Sequence, residues 1–170
     1  MNWEFDWLYA MQQIHNPVLD PIMVGLSALG NAGILWIIIS VICLIKKETR
    51  RCGVQMIISM LVVLVIGNGI LKNLVCRQRP CWSDSTVTQL VKYPSDYSFP
   101  SGHSMNSFTA AVTIWFYHKK VGAAAIAVAT LIAFSRLYNF VHFPTDVLGG
   151  VIVGCLTGFV AWKLTGLKFR

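Results

Sequence analysis

Residues 22–45 carry no charged side chain. A helix crosses a bilayer with about 20 consecutive apolar residues, so this run reads as a membrane span. Four more runs follow it. Residues 54–75 are uncharged until Lys72, and residues 121–141 until Arg136. Residues 100–117 hold one ionisable group, His103, near their start, and residues 147–162 are apolar but short. Composition agrees: 55% of the residues are hydrophobic and 12% charged, against about 25% charged in a soluble domain. That leaves too little polar surface to coat a soluble globule of 170 residues. Disordered, collagen-like, coiled-coil and small disulfide-scaffold chains are excluded as well. The expected fold is all-α: a polytopic transmembrane helix bundle forming a single domain over residues 1–170, with five clear spans after an N-terminal segment.

That segment, residues 1–16, places Trp3, Trp7, Leu8, Met11 and Ile14 at roughly helical spacing, with Glu4, Gln12 and Gln13 between. It reads as an amphipathic helix lying in the interface and stopped before Pro17. A sixth span is the alternative; Glu4 and Asp6 would be costly inside hydrocarbon. No basic n-region of a signal peptide is visible.

The net charge of +7 would suggest nucleic acid in a soluble chain. Here its placement sets orientation instead. Lys46, Lys47, Arg50 and Arg51 lie between the first two spans, Lys119 and Lys120 between the third and fourth, and Lys163, Lys168 and Arg170 after the fifth. With five spans these clusters share one side, the cytoplasm by the positive-inside rule. The loop 76–99 and the turn 139–145 then face outward from a plasma membrane.

The remaining charges fall at one depth on that outer face: Lys72 and Arg79, His103, Arg136, His142 and Asp146. Intramembrane ionisable groups are expensive, about 3 kcal/mol at mid-bilayer. A single one of these reads as a snorkelling anchor, but all of them at one level read as a site. Three basic side chains converging in an apolar wall demand an anion, and the planar Arg fork suits phosphate oxygens. Lys72 and Arg79 are two turns apart and share a face if the helix continues to Pro80. Pro100-Ser101-Gly102-His103 stands where a helix begins; Gly102 admits close approach, the first-turn N–H groups bind anions, and Ser101 can donate its hydroxyl. Asp146 is the only acid expected near the site, so no carboxylate cluster holds Mg²⁺, and no cofactor is expected. The five cysteines form no CxxC pair, so a zinc or redox motif is not indicated.

Pro144 suits a first helical turn. Asp146 then falls near the third helical position, reaching back toward His142. A carboxylate on one imidazole nitrogen makes the other the better nucleophile. His103, from another helix, can act as general acid. His15 and His118 read as structural.

These residues resemble the type-2 phosphatidic acid phosphatase superfamily, whose signature has three parts: Lys72 to Arg79-Pro80, Pro100 to His103, and Ser135-Arg136 with His142 and Asp146. All three match in order, over nearly half the chain. The resemblance implies His142 as the phosphate-accepting nucleophile, Asp146 as its partner and His103 as the acid. It implies Lys72, Arg79, Ser101, Gly102 and Arg136 as phosphate-binding residues, in a metal-independent enzyme usually built on six membrane helices. A soluble branch, the vanadium haloperoxidases, uses the same pocket for vanadate; the spans here argue against that branch. The expected activity is hydrolysis of a lipid phosphomonoester or diphosphate, such as phosphatidylglycerol phosphate or a polyprenyl diphosphate, through a phosphohistidine at the outer face. The expected partners are the bilayer and its lipid phosphates, with no nucleic acid. A lipid phosphotransferase using the same site is an alternative, as is a phosphate or lipid transporter, for which the cytoplasmic halves of the spans offer few ionisable groups.

Weaker features remain. Gly150, Gly154 and Gly158 form a small-residue stripe, read as close helix packing with a lipid groove as the alternative. Gly67 and Gly69 suggest room for a lipid chain. A Cys76–Cys81 disulfide would clip the turn bearing Arg79. Trp82, Tyr93, Tyr97 and Phe99 suit either a lipid entrance or an interfacial belt.

Overall fold

A computed structural model describes residues 3–166, all helix and connection with no strand among them. Lys168 and Arg170 lie outside the described residues. The helices are α1 (Trp3–Gln12), α2 (Leu19–Leu29), α3 (Ile34–Ile45), α4 (Arg50–Leu64), α5 (Lys72–Val75), α6 (Pro80–Ser83), α7 (Gly102–Tyr117), α8 (Lys119–Tyr138) and α9 (Pro144–Gly166).

The run expected as the first span is broken. α2 and α3 meet at a 50° bend. The intervening Asn31–Gly33 turn places Ala32 and Gly33 at φ 51° and 70°, a left-handed geometry that ends α2 and restarts the chain as α3. α4 continues through a π-helical stretch, Val65–Leu71, into α5. Such wide turns displace side chains from the regular α register. Cys76, at φ 48°, then ends the helix.

Stretches long and apolar enough to cross a membrane are Arg50–Ser83, Lys119–Tyr138 and Pro144–Leu164, with the bent α2–α3 pair a fourth if it counts as one span. α9, expected to be short, runs for 23 residues. α7, expected as the third span, has only 16, about 24 Å of rise. It occupies the centre, packed along α8, α9 and α4. Its Ser104, Ser107, Thr109 and Thr113 are buried against those neighbours rather than facing lipid, which lowers its hydropathy without exposing it.

Polar ties fix the bundle from inside. Trp36 Nε1 donates to Ser107 Oγ at 2.9 Å, Tyr117 Oη to Gln55 Oε1 at 2.6 Å, and Tyr138 Oη to Asp20 Oδ1 at 2.6 Å. Around them pack Trp36, Met56, Phe108, Ile114 and Ile132. Large apolar side chains such as Ile38, Leu61, Val65, Ile152 and Leu156 face outward, as a bilayer-embedded surface requires.

The glycine stripe of α9 packs on the backbone of α7. A Cβ at Gly150, Gly154 or Gly158 would stand 2.7, 2.6 or 2.9 Å from the carbonyl oxygens of Ser101, Met105 and Thr109. Close packing therefore explains the stripe. Gly67 likewise makes room for Met105, while Gly69 faces open space. Cys76 and Cys81 are free thiols, one exposed and one buried.

α1 departs from its expected face. Trp3 and Trp7 are exposed, and the buried residues are Leu8 and Glu4. Leu8 joins Cys81, Phe140, Val141 and Phe143 in a second apolar cluster that seats α1 against α6 and the α8–α9 turn. At ten residues α1 rises about 15 Å, half the thickness of the hydrocarbon.

Candidate active site

Connectivity brings the C-terminal ends of α5 and α8 to the N-terminal ends of α7 and α9. A cavity of about 690 Å³ opens there, lined by Lys72, Arg79, Gly102, His103, Arg136 and His142 among others. Ser101 and Asp146 stand directly behind it. All eight residues expected at the site are thus placed together. The basic α3–α4 and α7–α8 connections lie at the opposite end of the bundle.

Lys72 and Arg79 are buried, but they do not share a helix face. The chain leaves the helix at Cys76, and Arg79 reaches the site from extended backbone (φ −83°, ψ 151°) just before Pro80, the first residue of α6. The two cations meet instead on Asp96, a residue of the 84–101 connection. Arg79 Nη2 donates to Asp96 Oδ1 at 2.7 Å and Nε to the Asp96 carbonyl at 2.7 Å. Lys72 Nζ donates to Asp96 Oδ2, and to the Tyr97 carbonyl at 2.9 Å. Partial burial alone would raise the Asp96 carboxyl, but the hydrogen bonds and charges of Lys72 and Arg79 outweigh it and hold it at about 2. Asp146 is therefore not the only acid at the site. The spacing of the motifs could not show this, because Asp96 precedes Pro100-Ser101-Gly102-His103 in an irregular segment whose path is set by tertiary contacts.

Arg136 enters from the last turn of α8. Its Nη1 donates to Ser27 Oγ on α2, and its Nε is buried with no hydrogen-bond partner among the described residues. Ser101 caps α7, accepting from Ser104 N at 3.4 Å and Ser104 Oγ at 3.1 Å, and is fully buried. Gly102 opens the helix with its backbone on the cavity.

His142 lies in the connection between α8 and α9, fully buried. Its Nε2 is 3.1 Å from Arg79 Nη1. Because a guanidinium can only donate, that nitrogen carries the lone pair and the proton sits on Nδ1. Burial first, then the charges of Arg79, Arg136 and Lys72, hold the imidazole well below its ordinary pKa, so it is neutral.

Asp146 is the third residue of α9, as expected, and reaches back: its Oδ2 accepts from Phe143 N at 2.8 Å. It does not bond directly to His142, whose Nδ1 is 3.7 Å from Oδ2. The Ser98 hydroxyl lies between, donating to Asp146 Oδ2 at 2.5 Å and 3.3 Å from His142 Nδ1. Asp146 Oδ1 accepts from Arg77 Nη1 at 2.7 Å, and Arg77 Nη2 donates to Glu4 Oε2 at 2.5 Å. Glu4 Oε1 in turn accepts from Thr145 N and Oγ1. The helix read as an interfacial anchor therefore sends a buried carboxylate to the residue before Asp146. Arg77, Ser98 and Glu4 were not expected here; only the two-residue offset of Arg77 from Arg79 hinted at a second basic contact.

His103 Nε2 is 3.0 Å from Asn31 Oδ1, in the break between α2 and α3. A Cβ on Gly30 would stand 2.5 Å from the imidazole, so glycine there lets the bend close on His103. His15 is structural: it stacks on Tyr138 and its Nε2 lies 3.0 Å from the Tyr138 carbonyl. His118 joins α7 to α8 at the far end.

Among the described residues no group of three His, Cys, Asp or Glu side chains could hold a metal ion. An apolar cleft of about 280 Å³, lined by Ala32, Ile37, Ile57, Met60, Leu61 and Leu64, runs between α3 and α4 and shares Asn106 with the main cavity.

Residues 53–170 match the PAP2 superfamily. An undecaprenyl-diphosphatase of Sulfolobus acidocaldarius is 34% identical over 147 residues, covering 86% of this chain and 70% of that protein. Phosphatidylglycerophosphatase B of Bacillus subtilis is 33% identical, covering 86% and 75%. The crystal structure of a transmembrane PAP2 type phosphatidylglycerolphosphate phosphatase from Bacillus subtilis superposes with a TM-score of 0.79 at 30% identity, covering 98% of this chain and 86% of that one. With its three motifs gathered on one cavity, the chain belongs to the PAP2 superfamily.

Proposed function

We propose that this chain is an integral membrane lipid phosphatase that hydrolyses a lipid phosphomonoester or diphosphate through a phosphohistidine. The observation that carries the reading is the convergence of Lys72, Arg79, Arg136 and the N-terminus of α7 on the cavity that His142 lines, with its Nε2 beside Arg79 Nη1. The names of the relatives support a lipid phosphate substrate.

In this reading the phosphoryl group sits among Lys72, Arg79, Arg136, the Ser101 hydroxyl and the first N–H groups of α7. These donors are aimed at oxygens that gain charge in the transition state. Neutral His142 attacks phosphorus with Nε2. Its Nδ1 proton faces Ser98 and, through it, Asp146, which stabilises the cationic ring that forms. His103 donates a proton to the departing oxygen; Asn31 Oδ1 keeps that proton on Nε2 until the oxygen takes its place. Water, giving a proton to His103, then cleaves the phosphorus–nitrogen bond, which restores both histidines and releases orthophosphate. Cations and backbone donors fill the role that a metal would otherwise serve.

The basic α3–α4 and α7–α8 connections favour the cytoplasm, so the cavity faces outward across a plasma membrane. α1, with Trp3 and Trp7 exposed and Glu4 buried, lies at the outer interface beside the α8–α9 turn. The apolar α3–α4 cleft suits a lipid chain. The test is phosphate release from a panel of lipid mono- and diphosphates in detergent, by the wild type and by His142→Ala. Release by the wild type and none by the variant supports the reading; equal release sinks it. Phosphorylated acceptor instead of free phosphate would favour the phosphotransferase.

A further inference from the structure

Two buried cations of the proposed phosphate cradle already hold an anion, and it belongs to the chain. The Lys72 and Arg79 side chains are 5% and 3% exposed, whereas that of Asp96 is 52% exposed. The asymmetry matters. A buried cation left without a partner is strongly unfavourable, so Lys72 and Arg79 need an anion at every stage of turnover. A half-exposed carboxylate on an irregular segment can turn to water at little expense when another anion arrives.

The donors are shared in detail. Arg79 Nη1 is engaged by the Val141 carbonyl at 2.8 Å and by His142 Nε2. Its Nη2 and the Lys72 ammonium are the groups that point at the Asp96 carboxylate, and they are also the groups that must reach a phosphoryl oxygen. Asp96 and phosphate therefore compete for the same hydrogens. A lipid substrate brings the burial of its chains to that competition; orthophosphate brings none.

Resting on the phosphatase reading, we propose that Asp96 is a displaceable internal anion that exchanges with the phosphoryl group on Lys72 and Arg79 and expels orthophosphate after each turnover. It weakens every phosphate ligand by the same factor. Only the lipid, which has other contacts, tolerates that loss.

The opposite role is a purely positioning one, in which Asp96 holds the two cations ready and phosphate binds beside it. The two differ in sign. Purified protein in neutral detergent, wild type and Asp96→Asn, is titrated with orthophosphate and vanadate, read both as inhibition of lipid phosphate hydrolysis and as the ligand-induced shift in melting temperature. The expected result is binding of both anions tighter by roughly tenfold in Asp96→Asn, the scale of one charge-assisted hydrogen bond, with kcat lowered because product leaves slowly. Asp96→Glu keeps the carboxylate and should bind both anions as the wild type does. Unchanged or weaker binding in Asp96→Asn overturns the proposal. The thermal readout decides the matter even where a variant no longer turns over. A wild type that neither hydrolyses lipid phosphates nor binds vanadate overturns the functional reading and this inference together. A wild type that does both, with no tightening in Asp96→Asn, overturns this inference alone.

Discussion

Asp146 and His142 are separated by 3.7 Å, and the Ser98 hydroxyl stands between them. The carboxylate is fully engaged: Phe143 N and Ser98 on one oxygen, Arg77 on the other. Its influence on the imidazole therefore passes through a neutral hydroxyl, which polarises without adding a charge.

Ser98→Ala removes that bridge while leaving Lys72, Arg79 and Arg136 untouched. The expected outcome is a fall in kcat of roughly tenfold, the scale of one hydrogen bond, with little change in KM, and recovery by Ser98→Thr. Steady-state kinetics on one lipid phosphate checks it; a change confined to KM would contradict the bridging role.

Glu4 joins α1 to the site through Arg77 and Thr145. Glu4→Ala leaves Arg77 with Asp146 and the Thr145 hydroxyl and strips Thr145 of its acceptor. Because Arg77 is partly exposed, the loss should be about 1–3 kcal/mol, visible as a lower melting temperature in detergent. Activity should fall with it, since Arg77 is then free to pull on Asp146. Glu4→Gln, which keeps one acceptor oxygen, should be milder on both measures.

The two histidines should differ in kind. In the proposed mechanism His142→Ala removes the attacking atom and should form no phosphoenzyme on any substrate. There His103→Ala removes only the proposed proton donor, worth about 10²–10⁴-fold. A lipid diphosphate leaves as a phosphate ester, a weaker base than an alkoxide, so His103→Ala should keep a larger share of activity on a diphosphate than on a monoester. Trapping labelled phosphate under alkaline denaturation tests the intermediate; equal stable label on wild type and His142→Ala would remove His142 from its role.

Activity should survive EDTA, and vanadate should compete with substrate. A strict requirement for added Mg²⁺, or inhibition that substrate does not relieve, would contradict a cradle of cations and backbone donors.

Orientation has its own check. In a background without native cysteines, a cysteine in the 76–99 loop should react with an impermeant thiol reagent on intact cells, and one near Lys119 should not. The reverse pattern would move the chemistry to the cytoplasm.

Part of this was legible in the sequence because the chemistry is local there. Asp146 at the third position of α9 follows from Pro144 alone, and the start of α7 from Pro100-Ser101-Gly102-His103. What escaped depends on chain reversals. Glu4 meets Thr145 because α1 folds back on the α8–α9 turn, and its buried face is chosen by that contact rather than by the Trp periodicity. Asp96 meets Arg79 because Cys76 takes a left-handed conformation and releases the chain from the helix. The α2–α3 break was hidden inside an uninterrupted apolar run: hydropathy counts residues and is blind to the backbone angles of Ala32 and Gly33.

The glycine face of α9 on α7 has a mechanical consequence. Three steps of backbone contact, with Ser101 N donating to the Asp146 carbonyl at 3.0 Å above them, make the two helices one strut at the level of His142. A bilayer that thins or thickens is met by tilting or kinking of helices. The strut can only tilt whole, so adjustment between elements falls to the bend between α2 and α3. His142, Ser101 and Asp146 then keep their spacing in membranes of different thickness, while the Asn31 contact to His103 carries the strain.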